Sequence, residues 1–384
     1  MSDYLGLGVR TVVNAGGAQS RLGGSTLSPE VRQAMSRAST AYVDVDALHD
    51  VVAQRIATAT RNAAAAVCAG SAAGIMIAVA AVIAGADPSR AAALPSAPEP
   101  RRSVAVWHRH TTGTLAGADA VHDNGYLNSV AAGGGRVRII DDATAVERND
   151  AALLWFPGMY GIPDEDSILR DVTASARTHG VPVIVDAADQ VPPFSRVWQY
   201  TTVLGADLAI FSGGKGLRGP TSSGLILGRA DLIAACRANS GTEHGVGRPA
   251  KIGREELLGL MVAVERAAES DEDAVYAAGK TVVARWHDRL ADLAPAMEFE
   301  RVPEGHCGQR VPRLILRLRS GSRDCREELI AQLWDATPRV AVLPDVRAAI
   351  ALSPQLLVDD EPAYVAATVH EIITRHLATC ERCS

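Results

Sequence analysis

The sequence predicts an α/β domain built on a mostly parallel sheet, followed by a smaller α+β domain. Three observations carry this. Short apolar runs alternate with helical stretches between residues 103 and 228, the pattern of strands joined by crossover helices. Glycine-rich loops, "NAGGAQSRLGGS" and "SGGKGLRGP", punctuate the chain where such a domain places ligand loops. From about residue 254 a long helix replaces the alternation, and a new mixture of strands and helices follows.

In chain order, a short apolar piece leads into the first glycine-rich loop. Ser28-Pro29-Glu30 then starts a helix, with Ser at the N-cap and Pro at the first helical position. Residues 45–86 read as helical. The run "AAAAVCAGSAAGIMIAVAAVIAGA" (63–86) is the most apolar of the chain, but it is mostly alanine and carries three glycines and a serine. It reads as a buried helix of a globular core, not a membrane span. After the Pro-rich "LPSAPEP", strands are expected at "SVAVWH" (103–108), "RVRIID" (136–141), "AALLWF" (151–156), "VPVIVD" (181–186), "DLAIFS" and "SSGLILG". Helices are expected before "RVRIID" and at "DEDSILRDVTASARTHG", with Gly180 as the stop. The long helix covers "REELLGLMVAVERAAES". Beyond it come "VPRLILRLRS", an amphipathic helix near 323–337, a strand "VAVLP" and a closing helix near 360–379. The expected division is an N-terminal segment 1–44 packing with the small domain, a large domain 45–270 and a small domain 271–384.

Composition narrows the function. The chain has 384 residues, 47% hydrophobic and 21% charged, with a formal net charge of −6. This describes a soluble globular protein without the basic surface of a nucleic-acid binder. The N-terminus lacks a secretory pattern, so a cytoplasmic setting is expected, with no membrane partner. Six cysteines in this length do not make a disulfide scaffold. Cys380 and Cys383 form a C-x-x-C with no second pair nearby, and no metal site is expected.

Two motifs mislead. "GKGLRG" (214–219) matches a dinucleotide fingerprint, but Pro220 and a strand follow where a helix is required. "GKT" (279–281) ends like a phosphate-binding loop, but Ala274 stands where its glycine should be.

The informative residue is Lys215. Of 38 basic residues only three are lysine: Lys215, Lys251 and Lys280. Arginine stays protonated and is a poor nucleophile, whereas a lysine amine can lose its proton and form an imine. Lys215 follows the strand "DLAIFS", and Asp186 ends the strand "VPVIVD". Strand carboxyl ends line the ligand crevice of such sheets, so both can face one pocket. A carboxylate for a pyridinium nitrogen and a lysine for an aldehyde are what pyridoxal phosphate needs. "AGSAAG" (69–74) supplies Gly70, Ser71 and Ala72 at a helix start, where backbone N–H groups bind phosphate. Ser212 can add a hydroxyl.

These blocks resemble fold-type-I pyridoxal phosphate enzymes, and within them the selenocysteine-synthase-like family that includes D-glucosaminate-6-phosphate ammonia-lyase-like proteins. "VIVDAADQVPP", "GADLAIFSGGKGLRGPTSSGLILG", "GRPAKIGREELLGL", "VRTVVNAGGAQSRLGGSTLSPEV" and "LSPQLL" carry the resemblance over nearly the whole chain. It implies a mostly parallel, seven-stranded-type sheet in the large domain. It implies that Lys215 is the Schiff-base lysine, Asp186 the pyridinium partner, and Gly70, Ser71 and Ala72 the phosphate cup. His110 is expected to stack on the ring, with Trp107 and His108 as rivals. Ala188 is expected under the other face, and Gln190 or Asp189 at the ring hydroxyl. Asp189 stands where a small residue is expected. Arg21, Arg218 and Arg248 are candidates for an anionic substrate group, and Arg248 with Lys251 forms a basic loop that can reach a neighbouring subunit's site. The implied activity is a lyase acting on a small-molecule amine, an amino acid or amino-sugar acid. An aminotransferase and a non-catalytic binding subunit are the alternatives. A homodimer or larger assembly with shared sites is expected, and a tRNA substrate is not.

Overall fold

The computed structural model describes residues 4–96, 102–107, 125–158, 163–242, 245–320, 322–345 and 348–379. The chain forms two compact units, Ser25–Ser270 and a second that joins Met1–Gly24 to Asp271–Ser384. The boundary anticipated at residue 44 differs from this division, because the helix started by Ser28 packs along the long helix that begins at Arg254.

The elements run β1 Val12–Asn14, α1 Pro29–Ala38, α2 Val45–Ala59, β2 Ala64–Cys68, α3 Ser71–Ala84, α4 Pro88–Ala93, β3 Ser103–Trp107, α5 Leu127–Ala132, β4 Arg136–Ile140, β5 Asp150–Trp155 and α6 Glu165–Thr178. Then come β6 Val183–Asp186, α7 Arg196–Thr202, β7 Leu208–Ser212, β8 Gly224–Gly228, α8 Ala230–Ala238, α9 Arg254–Glu269 and α10 Glu272–Arg289. The chain closes with β9 Met297–Val302, β10 Arg313–Leu318, α11 Arg323–Asp335, β11 Arg339–Ala341, β12 Leu343–Asp345, β13 Ala349–Leu352 and α12 Glu361–Thr379.

Local chemistry accounts for the boundaries. The Ser28 hydroxyl accepts the Val31 N–H at 3.3 Å, and Pro29 sits where no N–H partner is needed. Asp44 caps α2 by accepting the N–H groups of Asp46 and Ala47. Gly180, at φ +66°, ends the turn after α6. The apolar run 63–86 differs from its reading as one helix: Ala64–Cys68 is strand β2, and only Ser71–Ala84 is helical. Alanine favours helix intrinsically, but tertiary pairing overrides that preference. β2 pairs antiparallel with β8 and is largely buried. Among the described residues no helix is long and apolar enough to cross a membrane.

In the larger unit the seven strands take the order β2-β8-β7-β6-β5-β3-β4. All pairs are parallel except those of β8, which runs antiparallel to both neighbours. Side chains alternate between two buried faces, as the strand period of two requires. Ile184, Leu208, Ile210, Ala66 and Cys68 share one core with α3, while Val183, Val185, Ala209, Phe211, Trp107 and Trp155 share the other with α7 and α9.

The smaller unit has a four-stranded antiparallel sheet, β12-β13-β10-β9, and a parallel β1–β11 pair. Its core takes Trp286 of α10, Leu329 and Leu333 of α11 and Val365, Val369 and Ile372 of α12. The Trp286 Nε1 donates to the Pro362 carbonyl at 2.8 Å, satisfying the polar end of a buried indole.

Candidate active site

Register builds the site. Cys68 at the end of β2 lies opposite Gly224, and Gly224 opposite Ser212 at the end of β7. Asp186 at the end of β6 lies opposite Ile210. By alternation Cys68, Ser212 and Asp186 all point to the α3 face, at the carboxyl ends of their strands. A Cβ on Gly224 would stand 2.7 Å from the Gly70 carbonyl carbon, so only glycine lets β8 enter between the two ligand loops.

Asp186 is buried, with 7% exposure, and accepts the Ala188 N–H at 3.2 Å. Burial pushes its carboxyl up to about 6; Lys215 and the Ala188 N–H act the other way. The Cys68 thiol feels the same carboxylate and is pushed up to about 12, first by its own burial. It is a neutral thiol, and its Sγ donates to the Gly70 carbonyl at 3.3 Å.

Lys215 sits in a tight turn, where the Arg218 N–H donates to the Lys215 carbonyl at 2.9 Å. Gly219 N–H reaches back to the Gly213 carbonyl, and Gly213 N–H to the Ser223 carbonyl. Any Cβ on Gly216 would run into the Val191 carbonyl, so the turn is pressed onto the loop that follows Asp186. The Lys215 Nζ lies 3.9 Å from Asp189 Oδ2. Two carboxylates therefore act on this amine, Asp186 and Asp189.

The N-terminus of α3 supplies the third part. Gly70 is its N-cap at φ +90°, and no side chain caps the first-turn N–H groups. Such open amides, with the helix dipole behind them, attract an anion. Ser71 is half-buried and Ala72 exposed, so the turn is reachable. These residues fit pyridoxal phosphate: a desolvated carboxylate matches a protonated ring nitrogen, the lysine an aldehyde, and the uncapped helix start with Ser212 a phosphate.

The remaining candidates fall as follows. Ala188 is half-buried beside Asp186, and its carbonyl receives the Ser212 N–H at 3.4 Å. Gln190 is buried, with its amide held by the Pro157 carbonyl at 3.2 Å and the Tyr200 hydroxyl at 3.0 Å. Trp107, a rival for stacking on the ring, packs against Trp155 with ring centres 4.9 Å apart on the sheet face away from Asp186. His110 and His108 lie outside the described residues, as do Cys380 and Cys383. Arg218 is half-buried at φ +56°. Arg248 and Lys251 are exposed, and Arg248 donates to the Gly241 carbonyl at 2.9 Å. Arg21 lies in the smaller unit, bonded to Gln19 at 2.9 Å and stacked over Trp334. Cys68 and Tyr200 were not singled out by sequence. Cys68 had one signal, its place at the end of a strand directly before the candidate phosphate loop.

No model of a known protein family matches the chain. It is 36% identical over 324 residues to a 5'-C-glycyluridine monooxygenase-decarboxylase of Streptomyces sp, covering 82% of this chain and 77% of that one. It is 28% identical over 391 residues to the D-glucosaminate-6-phosphate ammonia lyase of Salmonella typhimurium, covering 96% and 97%. Among solved structures, a D-glucosaminate-6-phosphate ammonia-lyase superposes with a TM-score of 0.77 at 25% identity, covering 98% of this chain and 99% of that one. An alanine–glyoxylate aminotransferase from Nostoc sp. superposes with a TM-score of 0.60 at 16% identity, covering 97% and 99%, and shares the fold.

Proposed function

The chain belongs to the fold-type-I pyridoxal phosphate enzymes related to D-glucosaminate-6-phosphate ammonia lyase, and from that premise we propose that it is a lyase acting on an amino acid or amino-sugar acid. The observation that carries this is the meeting of Asp186, Lys215 and the uncapped start of α3 at one end of the sheet. When bound, the cofactor supplies an aldehyde that captures an amine and a ring that accepts an electron pair.

The chain's own groups do the rest. Lys215 Nζ holds the cofactor and, once free, takes and returns the proton at the substrate's α-carbon. Asp186 keeps a proton on the ring nitrogen, since a buried carboxylate gains most from a cation beside it. The N–H groups of Ser71 and Ala72, with Gly70 and the Ser212 hydroxyl, hold the phosphate. Asp189 pairs with the lysine when it is an ammonium. Ala188 would pack beneath the ring, and stacking on it is left to His110, as the resemblance implies. A small-molecule amine is the substrate, in a cytoplasmic setting.

The test is ammonia release from a panel of amino acids and amino-sugar acids. A lyase needs no oxo-acid acceptor. Activity that appears only with an oxo acid makes the protein an aminotransferase instead. One observation favours a second reading: the relative at 36% identity is named a monooxygenase-decarboxylase. Under that reading, oxygen uptake and carbon dioxide release accompany turnover.

The reading includes a homodimer or larger assembly with shared sites. Arg248 supports it, being exposed on a loop of the larger unit and, among the described residues, in no ion pair. Arg248→Ala and Lys215→Ala, each inactive alone, should recover about a quarter of the wild-type activity per dimer when co-expressed. One site in four then carries both intact groups if Arg248 acts across a two-fold axis. Mixed dimers without recovery would return Arg248 to its own subunit.

A further inference from the structure

Arg218 is a cation placed at a cost. Its guanidinium is half-buried, and among the described residues no carboxylate pairs with it. Its Nε is buried without a hydrogen-bond partner, and its Nη2 touches only the exposed Thr26 hydroxyl, at 3.4 Å. Burial without a counter-ion pulls its proton affinity down, with nothing opposing. The backbone is strained as well, since φ is +56° at a residue that is not glycine or asparagine. A residue this poorly satisfied in the free protein is one whose partner arrives later.

Its position says what that partner is. The N–H of Arg218 donates to the carbonyl of Lys215 at 2.9 Å, closing a four-residue turn. The two Cα atoms are then within about 7 Å of each other. An anion on Arg218 is therefore anchored to the same short turn that carries the lysine. Leu217 is buried in the core between them and Gly216 is jammed against Val191, so the turn cannot shift Arg218 away. One guanidinium offers one positive charge and a planar fork, which matches a carboxylate in charge and shape; a phosphate dianion would be left half-neutralised.

Resting on the lyase reading above, we propose that Arg218 is the specificity-determining residue that receives the α-carboxylate of the substrate, held open by its turn and flanked by Thr26. The enzyme then requires an amine and a carboxylate on the same carbon.

The test titrates the holoenzyme with three small probes and follows the absorbance of the bound cofactor: glycine, methylamine and aminomethylphosphonate. Wild type should bind glycine about ten- to a hundredfold more tightly than methylamine, the range of a charge-assisted hydrogen-bonded contact. Arg218→Asn suits a positive φ and should erase that preference without changing the spectrum before titration. Arg218→Lys keeps the charge and should retain part of it, which guards against a variant that simply fails to fold. Equal binding of glycine and methylamine to wild type, or an unchanged preference in both variants, overturns the subsite while leaving the lyase reading intact. Preference for aminomethylphosphonate reassigns Arg218 to a phosphate-type anion and overturns the carboxylate. A spectrum that responds to no amine refutes the lyase reading and the subsite together.

Discussion

Lys215→Ala should lower turnover by at least about a thousandfold, within the range that loss of one proton-transferring group produces, with the loss of the covalent tether added to it. The same position should be marked chemically in the wild type. Borohydride should fix pyridoxal phosphate on the peptide that contains Lys215, and the yellow colour should not be fixable in the variant. The two other lysines serve as internal controls. Lys251 is exposed on a loop, and Lys280 lies on α10 with its Nζ 5.0 Å from the centre of the Tyr276 ring. Neither follows a strand of the large sheet. Labelling on either would sink the assignment.

Asp186→Asn should lower turnover by roughly a hundredfold or more while leaving the fold intact. The amide can bond a ring nitrogen but cannot hold a proton there by charge. This substitution also has a signature in the cofactor-free protein. Burial raises the folded-state value of Asp186 to about 6, above the 3.8 of an unburied aspartate. A raised value means that the protonated form is the one the fold favours. Its stabilising contribution is full below about pH 4 and is lost as pH rises through about 6. The asparagine variant does not titrate there. Its stability relative to wild type should therefore improve by roughly 2–3 kcal/mol between pH 4 and pH 7.5. Denaturant unfolding of the two apoproteins at several pH values measures this. A stability difference that does not move with pH would mean that Asp186 titrates like an exposed carboxylate.

Much of the site was legible because it is written at strand ends. "VPVIVD" and "DLAIFS" each end on a residue of the candidate site, and an apolar run that stops at a polar residue is visible in one dimension. The Ser28-Pro29 helix start is equally local. Register is not local. Nothing in "AAAAVC" distinguishes a strand from the first turns of the alanine-rich helix beyond it, because its pairing partner β8 lies about 160 residues away along the chain. Trp107 illustrates the same limit: it sits at the right distance from the strand end, but alternation turns it to the opposite face. Arg218 was visible in the sequence as one of three candidate arginines, beside Arg21 and Arg248. What sets it apart is the missing partner, and a missing partner exists only in three dimensions.

The strand that joins the two ligand loops also sets a schedule. β2 lies at the edge of the sheet and pairs with β8 alone, and β8 is made long after it. At ordinary rates of synthesis, on the order of ten seconds separate the emergence of the two from the ribosome. For that interval β2 is a strand without a neighbour, the kind of segment through which nascent chains clump. Five residues of Ala-Ala-Ala-Val-Cys pair feebly with strangers, since small side chains bury little and alanine disfavours extended structure. The alanines let the unfinished chain wait.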